Sequence, residues 1–465
     1  MNRATLACTT VATIGLLATA ALLTAGPLDP PAGAVSSTLK TLAEVEPRIA
    51  INAANTPGDG DSVFRISQSG SYYLVANIDG VPAKHGIEIA ADRVVIDMRG
   101  FSVSNSGSGL DGISTAGIAR VNITVRNGVV FGWGDKGIDL LGVGHIVEDL
   151  HARVNVGGGI FTGASSIVTR CESSGNASTG FSAGPGSTLE QCAATGNSGP
   201  GIIAAEGCTM SACASRSNLN IGIDTIGASS ITGCIANDNN SFGIRSAGSG
   251  IDDGGTSVSG CSASGNGDDG IHVSIGCTVT ACSTRRNAGV GIEAGIGGAV
   301  TNSSAAFNTG GGFHGSIGCT FDACSAFNNA AVGIDGGAIA TIIGCTSRAN
   351  SLDGIQAGSG SMIRGNNCSG NGPTAASGSG IIVTGSDSVI SGNNCTTNDH
   401  FGIEVTASGC IIFGNTCSGN TDGNYSAVAG NRFGTIVVPP ASAVVSGNAG
   451  AAGFGTADPW VNLSY

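Results

Sequence analysis

Residues 192–212 read CAATGNSGPGIIAAEGCTMSA, and residues 213–233 read CASRSNLNIGIDTIGASSITG. The two segments have the same length and keep a cysteine, an asparagine and a glycine–isoleucine pair at the same positions. Self-similarity at a fixed period is the signature of a repeat architecture. The sequence therefore contains a repeat of 21 residues.

The repeat continues in both directions from this stretch. Most steps are 21 residues long, and steps of 27, 26 and 22 residues end at Gly270, Gly380 and Gly402. The glycine column, in which Ile or Phe follows each Gly, consists of Gly159, Gly180, Gly201, Gly222, Gly243, Gly270, Gly291, Gly312, Gly333, Gly354, Gly380 and Gly402, preceded by looser copies at Gly86, Gly112 and Gly137. Cysteine lies nine residues earlier at Cys171, Cys192, Cys213, Cys234, Cys261, Cys282, Cys324 and Cys345, with Ser303 in its place once. Asparagine lies four residues earlier at Asn176, Asn197, Asn218, Asn239, Asn266, Asn287, Asn308, Asn329 and Asn350.

This pattern predicts an all-β solenoid. The period is too short for paired-helix repeats, the leucine skeleton of leucine-rich repeats is missing, and Gly, Ser and Asn fill the positions that a helix would need. Each unit instead consists of short runs such as 278–280 and 291–294, separated by turn residues. We therefore predict a right-handed parallel β-helix of about 15 coils stacked at about 4.8 Å.

Each column has a predicted role in such a coil. The Ile or Phe side chains point inward and stack on one another. The asparagines occupy a tight turn, because Asn tolerates left-handed backbone, and their amides bond the copies in the next coil. The glycines lie where a Cβ would clash. The insertion at 251–255 forms a loop on one face.

Composition excludes several classes of protein and partner. Glycine accounts for 79 of 465 residues, charged residues for 11% and aromatic residues for 4%, while 41% of the chain is hydrophobic. A disordered polar chain would be less apolar, and collagen would need a Gly at every third position. The net charge is −13, and only Lys40, Lys84 and Lys136 are lysines, so no basic cluster exists to bind nucleic acid or anionic lipid.

The N-terminus has the pattern of a secretory signal peptide over residues 1–34. Arg3 supplies a positive start, residues 11–25 are apolar, and Ala32-Gly33-Ala34 is a small-residue cleavage site. A membrane anchor is the alternative, but the apolar run is shorter than the ~20 residues of a spanning helix. We expect a secreted or cell-envelope protein whose mature chain has no membrane span.

Fifteen of the 16 cysteines follow the predicted signal peptide. They form either disulfides or metal sites, or else a buried stack of small side chains, and their identical positions in successive coils favour the stack. No C-x-x-C pair with metal spacing occurs. Cys208, Cys277, Cys319 and Cys410 lie off the main column and are the better disulfide candidates.

The chain resembles the exported bacterial parallel β-helix proteins of the pectin lyase-like superfamily. Besides the repeats, the segments 93–101 (RVVIDMRGF) and 122–128 (NITVRNG) are similar to the opening strands of such proteins. The resemblance covers residues 85–420, and it implies the fold but no activity, because this fold hosts enzymes and non-enzymes alike. We expect residues 35–84 to form an N-terminal cap with the first strands, and residues 421–465 to form a C-terminal cap.

The residue two positions after each column glycine faces solvent, because side chains alternate along a strand. This predicts an exposed row, here called the charged ladder: Asp224, Arg245, His272, Glu293, His314, Asp335 and Gln356. The pair Asp268 and Asp269 lies just before Gly270, near His272. As a catalytic set, Asp268, Asp269, His272, Glu293 and His314 would supply the paired carboxylates and histidines for general acid–base cleavage of a glycosidic bond. Asp224, Arg245, Asp335 and Gln356 would then bind substrate.

Two hypotheses about function follow. The favoured one is a non-catalytic surface, adhesive or carbohydrate-contacting protein, in which the ladder is the solvated face of a sheet. The alternative is a polysaccharide lyase or glycoside hydrolase acting at the ladder, in a groove walled by the insertion near Asp252 and the loop at Pro373. Motifs of polygalacturonases, pectate lyases and mannuronan epimerases are missing. No cofactor or metal site is assigned, although a lyase would add Ca²⁺, and Glu293 between His272 and His314 is also placed to hold a metal. The expected partner is a polysaccharide or cell-surface glycan.

Overall fold

Each repeat forms three short strands separated by sharp corners. In one repeat these are Thr278–Thr280, Ser283–Arg285 and Ile292–Ala294. The computed structural model describes residues 46–117, 120–247, 254–373, 377–438 and 459–465, and the described residues from Arg48 to Tyr465 belong to one compact unit. The predicted signal peptide (residues 1–34) and residues 251–253 of the predicted insertion lie outside the described residues.

Strands at equivalent positions pair in parallel from coil to coil and build three sheets. The first sheet contains the Gly–Ile column and consists of Ser62–Ile66, His85–Ile89, Ile113–Thr115, Arg120–Val121, Lys136–Val143, Gly158–Ala164, Thr179–Ala183, Ile202–Ala204, Ile223–Ile226, Ile244–Ala247, Ile271–Val273, Ile292–Ala294, Phe313–Gly315, Ile334–Asp335, Ile355–Ala357, Ile381–Val383, Phe401–Val405 and Gly423–Ala427. The second sheet consists of Ile49–Ile51, Gly70–Leu74, Val94–Asp97, Thr124–Phe131, Ile146–Arg153, Ile167–Thr169, Thr188–Glu190, Thr209–Ser211, Ser230–Thr232, Ser257–Ser259, Thr278–Thr280, Ala299–Thr301, Thr320–Asp322, Thr341–Ile343, Met362–Arg364, Val389–Ser391, Ile411–Phe413 and Arg432–Phe433. The third sheet consists of Ile78–Asp79, Ser102–Ser104, Glu172–Ser174, Ala193–Thr195, Ala214–Arg216, Ile235–Asn237, Ser262–Ser264, Ser283–Arg285, Ser304–Ala306, Ser325–Phe327, Thr346–Arg348, Asn367–Ser369, Asn394–Thr396, Thr416–Ser418, Ile436–Val437 and Asn462–Ser464.

The second and third sheets merge near the N-terminal end. The long strands Thr124–Phe131 and Ile146–Arg153 each pair with strands of both sheets. The predicted parallel β-helix is confirmed, with about 18 turns rather than 15. The additional turns come from strands outside the fifteen glycine positions, including Ser62–Ile66, in the segment expected to hold the first strands, and Gly423–Ala427, in the segment expected to be the C-terminal cap. Within the described ranges, no helix has the length and apolar character needed to cross a membrane.

The corners are made by residues with left-handed backbone. In the repeat from Thr278, the corners fall at Ala281 (φ 53°), Arg286 (φ 54°) and Gly297 (φ 67°). The prediction that the asparagine column itself adopts this conformation was wrong, because the residue before each column asparagine does so, as Arg286 does before Asn287. The asparagine is free to keep ordinary backbone while its side chain turns inward.

The asparagine side chains form a continuous buried ladder, as predicted. From Asn155 to Asn420, each Nδ2 donates to the Oδ1 of the asparagine in the next coil at 2.8–3.0 Å. The backbone N–H of each donates to the same Oδ1, for example from Asn239 to Asn266 at 3.0 Å. Because these groups are cut off from water, the ladder satisfies the polar groups at this corner of each coil in place of solvent.

The column glycines allow successive coils to approach closely. A Cβ on Gly312 would lie 2.5 Å from the carbonyl oxygen of Gly333 and 2.8 Å from Nδ2 of Asn329. A side chain at these positions would clash with the next coil, as predicted. None of the twelve strict column glycines has positive φ, so glycine is needed there for space and not for a left-handed turn.

The core consists of stacked columns of small and aliphatic side chains. The Ile and Phe column is buried throughout, as predicted, with Phe181 and Phe313 as its two aromatic members. All fifteen described cysteines are buried free thiols. Cys208, Cys277, Cys319 and Cys410, the candidates under the disulfide alternative, are also free thiols and lie in a buried column of their own that includes serines such as Ser229.

Candidate functional site

The charged ladder lies on the outer surface of the first sheet, as the alternation of side chains predicts. Its seven members occupy consecutive rungs, from the Asp224–Arg245 pairing to the Asp335–Gln356 pairing. The core Ile or Phe precedes each of them, and the residue that follows points inward again. The side chains of His272, Glu293 and His314 are 33%, 30% and 41% exposed, so the ladder is accessible but partly shielded by its own neighbours.

Each charged rung of the ladder has a neighbour of opposite sign, although the two cationic rungs Arg245 and His272 are also adjacent. Nε and Nη2 of Arg245 donate to the two carboxylate oxygens of Asp224 at 3.0 and 2.8 Å. The carboxylate of Glu293 lies 3.7 Å from Nδ1 of His272 on one side and 3.7 Å from Nδ1 of His314 on the other. Nε2 of His314 lies 3.9 Å from Asp335. The half-buried Gln356 ends the row without a charge.

The two aspartates before Gly270 have different environments. Asp269 is buried, and its Oδ1 accepts the backbone N–H of Val290 in the next coil at 2.7 Å, while its Oδ2 lies 3.1 Å from Nδ1 of His272. Asp268 is half-buried, and its Oδ1 accepts the backbone N–H of Asp269 at 3.0 Å. The structure brings Asp269 to His272, but both oxygens of Asp269 already have partners.

The same aspartate position recurs elsewhere in the first sheet. Asp111 and Asp353 also precede a column glycine, and each accepts the backbone N–H of the next coil, at 2.9 Å from Lys136 and 2.7 Å from Ser379. This recurrence identifies a structural role for Asp269, in which its carboxylate joins two coils where the chain enters the strand.

The carboxylates shift the titration of both ladder histidines. The hydrogen bond to Asp269 raises the pKa of His272, and the Glu293 carboxylate raises the pKa of His314. In return, His314 and His272 lower the pKa of Glu293. Imidazolium and carboxylate thus stabilise each other, which is the expected behaviour of a stacked row of opposite charges.

Removal of both histidines is expected to destabilise the protein more in mild acid than in alkali. A histidine with a raised pKa in the folded state stabilises the fold fully below its ordinary value of 6.5 and loses that effect as the pH rises through the folded pKa. The Glu293 carboxylate, whose pKa is lowered, contributes its full stabilisation above its ordinary pKa of 4.5. The ion pairs therefore stabilise the fold most between about pH 4.5 and 6.5. The difference in Tm between the wild type and the His272→Gln/His314→Gln variant should be larger at pH 6 than at pH 8.5.

Gln356→Ala is the control for this measurement, since it alters a ladder rung that does not titrate. Its difference in Tm from the wild type should be the same at both pH values. A pH-independent difference for the double histidine variant would contradict the ion-pair interpretation.

Sequence analysis missed an aromatic residue beside the ladder. The ring of Phe242 contacts the His272 ring edge-on, with centroids 5.3 Å apart, and the guanidinium carbon of Arg245 lies 5.6 Å from its centroid. Phe242 directly precedes the column glycine Gly243, and this position in the repeat is the feature of the sequence that places it beside the ladder. It holds His272 and Arg245 in place between coils.

A second cluster of titratable groups, also missed, lies farther along the first sheet. Nδ1 of His400 is 3.2 Å from Glu404, its Nε2 is 3.4 Å from Asp422, and its ring packs on Phe401. Oγ of Ser379 donates to Glu404 at 2.8 Å, but Ser379 is fully buried. A buried hydroxyl cannot reach a substrate, so this group is a packed polar network rather than a nucleophile with its base.

The described residues contain two sets of side chains close enough to share a metal ion. In one set, ligand atoms of Asp269, His272 and Glu293 all lie within 4.8 Å of one another, and His314 is not a member. The other set is Asp59, Asp61 and Glu88, where Arg65 already pairs with both Asp59 and Glu88. The walls expected for a catalytic groove fall largely outside the described residues, at 248–253 and 374–376.

No family model and no curated protein matches the sequence. Solved structures similar to this chain include the A-module of mannuronan C-5 epimerase AlgE6 from Azotobacter vinelandii, at 14% identity and a TM-score of 0.27, covering 78% of this chain and 91% of that one. The catalytic domain of a GH87 alpha-1,3-glucanase is 11% identical, with a TM-score of 0.29 and coverage of 83% and 67%. PfbA, a surface adhesin of Streptococcus pneumoniae, is 9% identical, with a TM-score of 0.21 and coverage of 79% and 84%. These proteins include both enzymes and an adhesin, and such distant likenesses assign no activity to this chain.

Proposed function

We propose that this protein is an exported, non-catalytic carbohydrate-binding protein that contacts its glycan through the charged ladder of the first sheet. Export is the expectation from the signal-like N-terminus. The observation that carries the proposal is the mutual pairing of the ladder, in which each charged rung from Asp224 to Asp335 lies beside a group of opposite charge.

Pairing of this kind argues against acid–base catalysis. A glycosidase needs one carboxylic acid and one carboxylate that both face the substrate. Both oxygens of Asp269 are already engaged, and Glu293 is shared between His272 and His314. Proton transfer to a substrate would first have to break one of these pairs.

The same row suits a ligand rich in hydroxyl groups. The row offers donors, from Arg245 and the histidines, and acceptors, from the carboxylates, on rungs spaced about 4.8 Å apart. Opposite charges cancel along the row, so it attracts neither polyanions nor polycations strongly. An extended polymer with repeating hydroxyls can therefore lie along it and bond to several rungs at once.

Binding is tested on a glycan array, and catalysis by an assay for reducing ends and unsaturated products on a polysaccharide panel. We expect glycan binding without product formation. The Arg245→Gln/Glu293→Gln variant should bind at least about tenfold more weakly, since hydrogen bonds to charged groups contribute about 1.5–3 kcal/mol each. Glu190→Gln, on the exposed side of the second sheet, is the matched control and should bind like the wild type.

Product formation that His272→Ala abolishes would overturn the non-catalytic proposal and establish the lyase or hydrolase instead. Equal binding by the wild type and the double ladder variant would move the binding site away from the ladder.

A further inference from the structure

Three side chains on and beside the charged ladder converge at the outer surface of the first sheet. One ligand atom from each of Asp269, His272 and Glu293 lies within 4.8 Å of the other two. Nδ1 of His272 is 3.1 Å from Oδ2 of Asp269 and 3.7 Å from Oε2 of Glu293. Two neighbouring coils thus bring two carboxylates and an imidazole nitrogen to one point.

The spacing of these atoms fits a tetrahedral zinc ion. Zinc bonds of about 2.0–2.2 Å to nitrogen and oxygen place neighbouring ligand atoms about 3.3–3.6 Å apart in a tetrahedral site. The observed distances of 3.1 and 3.7 Å lie just on either side of this range. The side chains of His272 and Glu293 are 33% and 30% exposed, so a metal ion reaches them from solvent and small rotations of the two complete the geometry.

Asp269 is buried beside these two residues and is already oriented as a ligand. Its Oδ1 accepts the backbone N–H of Val290 at 2.7 Å, which directs Oδ2 toward His272. The ring of Phe242 packs edge-on against His272 and holds the imidazole. Contacts of this kind orient the ligands in protein metal sites. A metal ion replaces only the hydrogen shared by Oδ2 and Nδ1, so its binding leaves neither atom without a partner.

The chemistry of the three groups favours zinc over the alkaline-earth cations. Ca²⁺ and Mg²⁺ are bound by oxygen ligands, whereas Zn²⁺ is bound by imidazole nitrogen together with carboxylate oxygen. The charges of Asp269 and Glu293 balance those of a divalent cation. The guanidinium of Arg245 on the preceding rung is held by both carboxylate oxygens of Asp224, so its charge is compensated. Three protein ligands leave a fourth position for water or for a hydroxyl group of a ligand.

We propose that Oδ2 of Asp269, Nδ1 of His272 and the carboxylate of Glu293 bind one zinc ion at the surface of the first sheet. The second set of clustered carboxylates contains no nitrogen ligand, and Arg65 pairs with two of its three members. The proposal does not depend on glycan binding, because the metal is held by the protein alone. The pH dependence expected for the histidine pairs applies to protein from which metal has been removed.

Zinc binding is measured by calorimetry on the full chain after treatment with EDTA and dialysis, with ZnCl₂, CaCl₂ and MgCl₂ as titrants. We expect one Zn²⁺ per chain, and binding of Ca²⁺ and Mg²⁺ at least about a hundredfold weaker, because those ions favour all-oxygen sites. X-ray absorption at the zinc edge then identifies the ligands. It should show only nitrogen and oxygen at about 2.0–2.2 Å and no sulfur at about 2.3 Å, which separates this site from binding to cysteine thiols.

Asp269→Asn and Glu293→Gln should each weaken zinc binding about a hundredfold or more, because even the loss of a group that orients a ligand costs about 10–100-fold. Asp269→Asn retains an amide oxygen for the backbone N–H of Val290, so it removes the ligand without breaking the link between the coils. Asp268→Asn is the matched control, since Asp268 neighbours the three ligands but is not one of them. It should bind zinc like the wild type. Circular dichroism in EDTA checks that each variant is folded.

A sulfur ligand at the bound zinc, or unchanged affinity in both ligand variants, would overturn the proposal. Loss of zinc binding in Asp61→Asn, which alters the second carboxylate set, would also overturn it, as would a wild type that binds no zinc. Zinc binding without glycan binding supports this site and overturns the proposed function, whereas glycan binding without zinc binding does the reverse.

Discussion

Asn239→Ala is expected to lower the free energy of unfolding by about 3 kcal/mol or more, which places it among the most disruptive single substitutions. Oδ1 of Asn239 accepts two hydrogen bonds from Asn218, through the backbone N–H at 3.1 Å and through Nδ2 at 2.9 Å. Its own Nδ2 donates to Asn266 and to the backbone oxygen of Ser215. Alanine leaves these buried partners without hydrogen bonds, and each such loss costs about 1–3 kcal/mol.

The effect should also change the shape of the unfolding curve. Stability in a repeat protein is carried by contacts between neighbouring coils, so a weakened rung divides the stack into two parts that unfold less cooperatively. We therefore expect an earlier and broader urea transition, followed by circular dichroism, and faster amide exchange around the Asn218 and Asn239 coils.

The neighbouring residue provides the control. Asn240 is exposed, and its side chain makes no hydrogen bond among the described residues. Asn240→Ala should change the free energy of unfolding by no more than about 0.5 kcal/mol. Equal effects of the two substitutions would show that the ladder contributes no stability beyond the general effect of losing an amide.

Gly312→Ala is expected to be comparably damaging, for steric reasons. The new Cβ would lie 2.5 Å from the carbonyl oxygen of Gly333, which also accepts the backbone N–H of Phe313 at 2.9 Å. It would also lie 2.8 Å from Nδ2 of Asn329 in the asparagine ladder. Relief of the overlap requires the two coils to separate, which breaks the bond to Gly333 and strains the ladder, at a total cost of about 3 kcal/mol.

Gly60→Ala separates this effect from the intrinsic effect of replacing glycine. A Cβ at Gly60 meets no atom within 4 Å, and the residue does not have left-handed backbone. This substitution should be neutral or stabilise the protein by up to about 1 kcal/mol, because it restricts the unfolded chain. Thermal unfolding of both variants provides the comparison, and a Gly312→Ala protein as stable as Gly60→Ala would disprove the close approach of the coils.

The fold was predictable because one short repeat determines most of it. The spacing of Gly, Ile and Asn predicts the inward column, the stacked amides and the outward row. The third strand of each coil was harder to recognise, since runs such as Ser283–Arg285 contain few apolar residues and are held mainly by their neighbours. The corner residue before each asparagine was missed because its identity varies, from Arg286 to Gly196, and only its backbone conformation is kept.

The candidate site was predicted in part. Alternation along the strand placed His272 and Glu293 on the outer surface and close together. It did not reveal that Asp269 joins two coils through the backbone N–H of Val290, because that contact depends on the path between strands.

The buried thiols have a consequence for how this protein must reach its folded state. Fifteen free cysteines enclosed in the core are protected from oxidants only while the coils remain stacked. In an oxidising compartment, a chain that lingers unfolded would form mismatched disulfides that the finished solenoid has no room to accommodate. For a chain that folds in such a compartment, coil stacking competes with thiol oxidation, so the rate of stacking as well as the equilibrium stability decides the yield of correctly folded molecules.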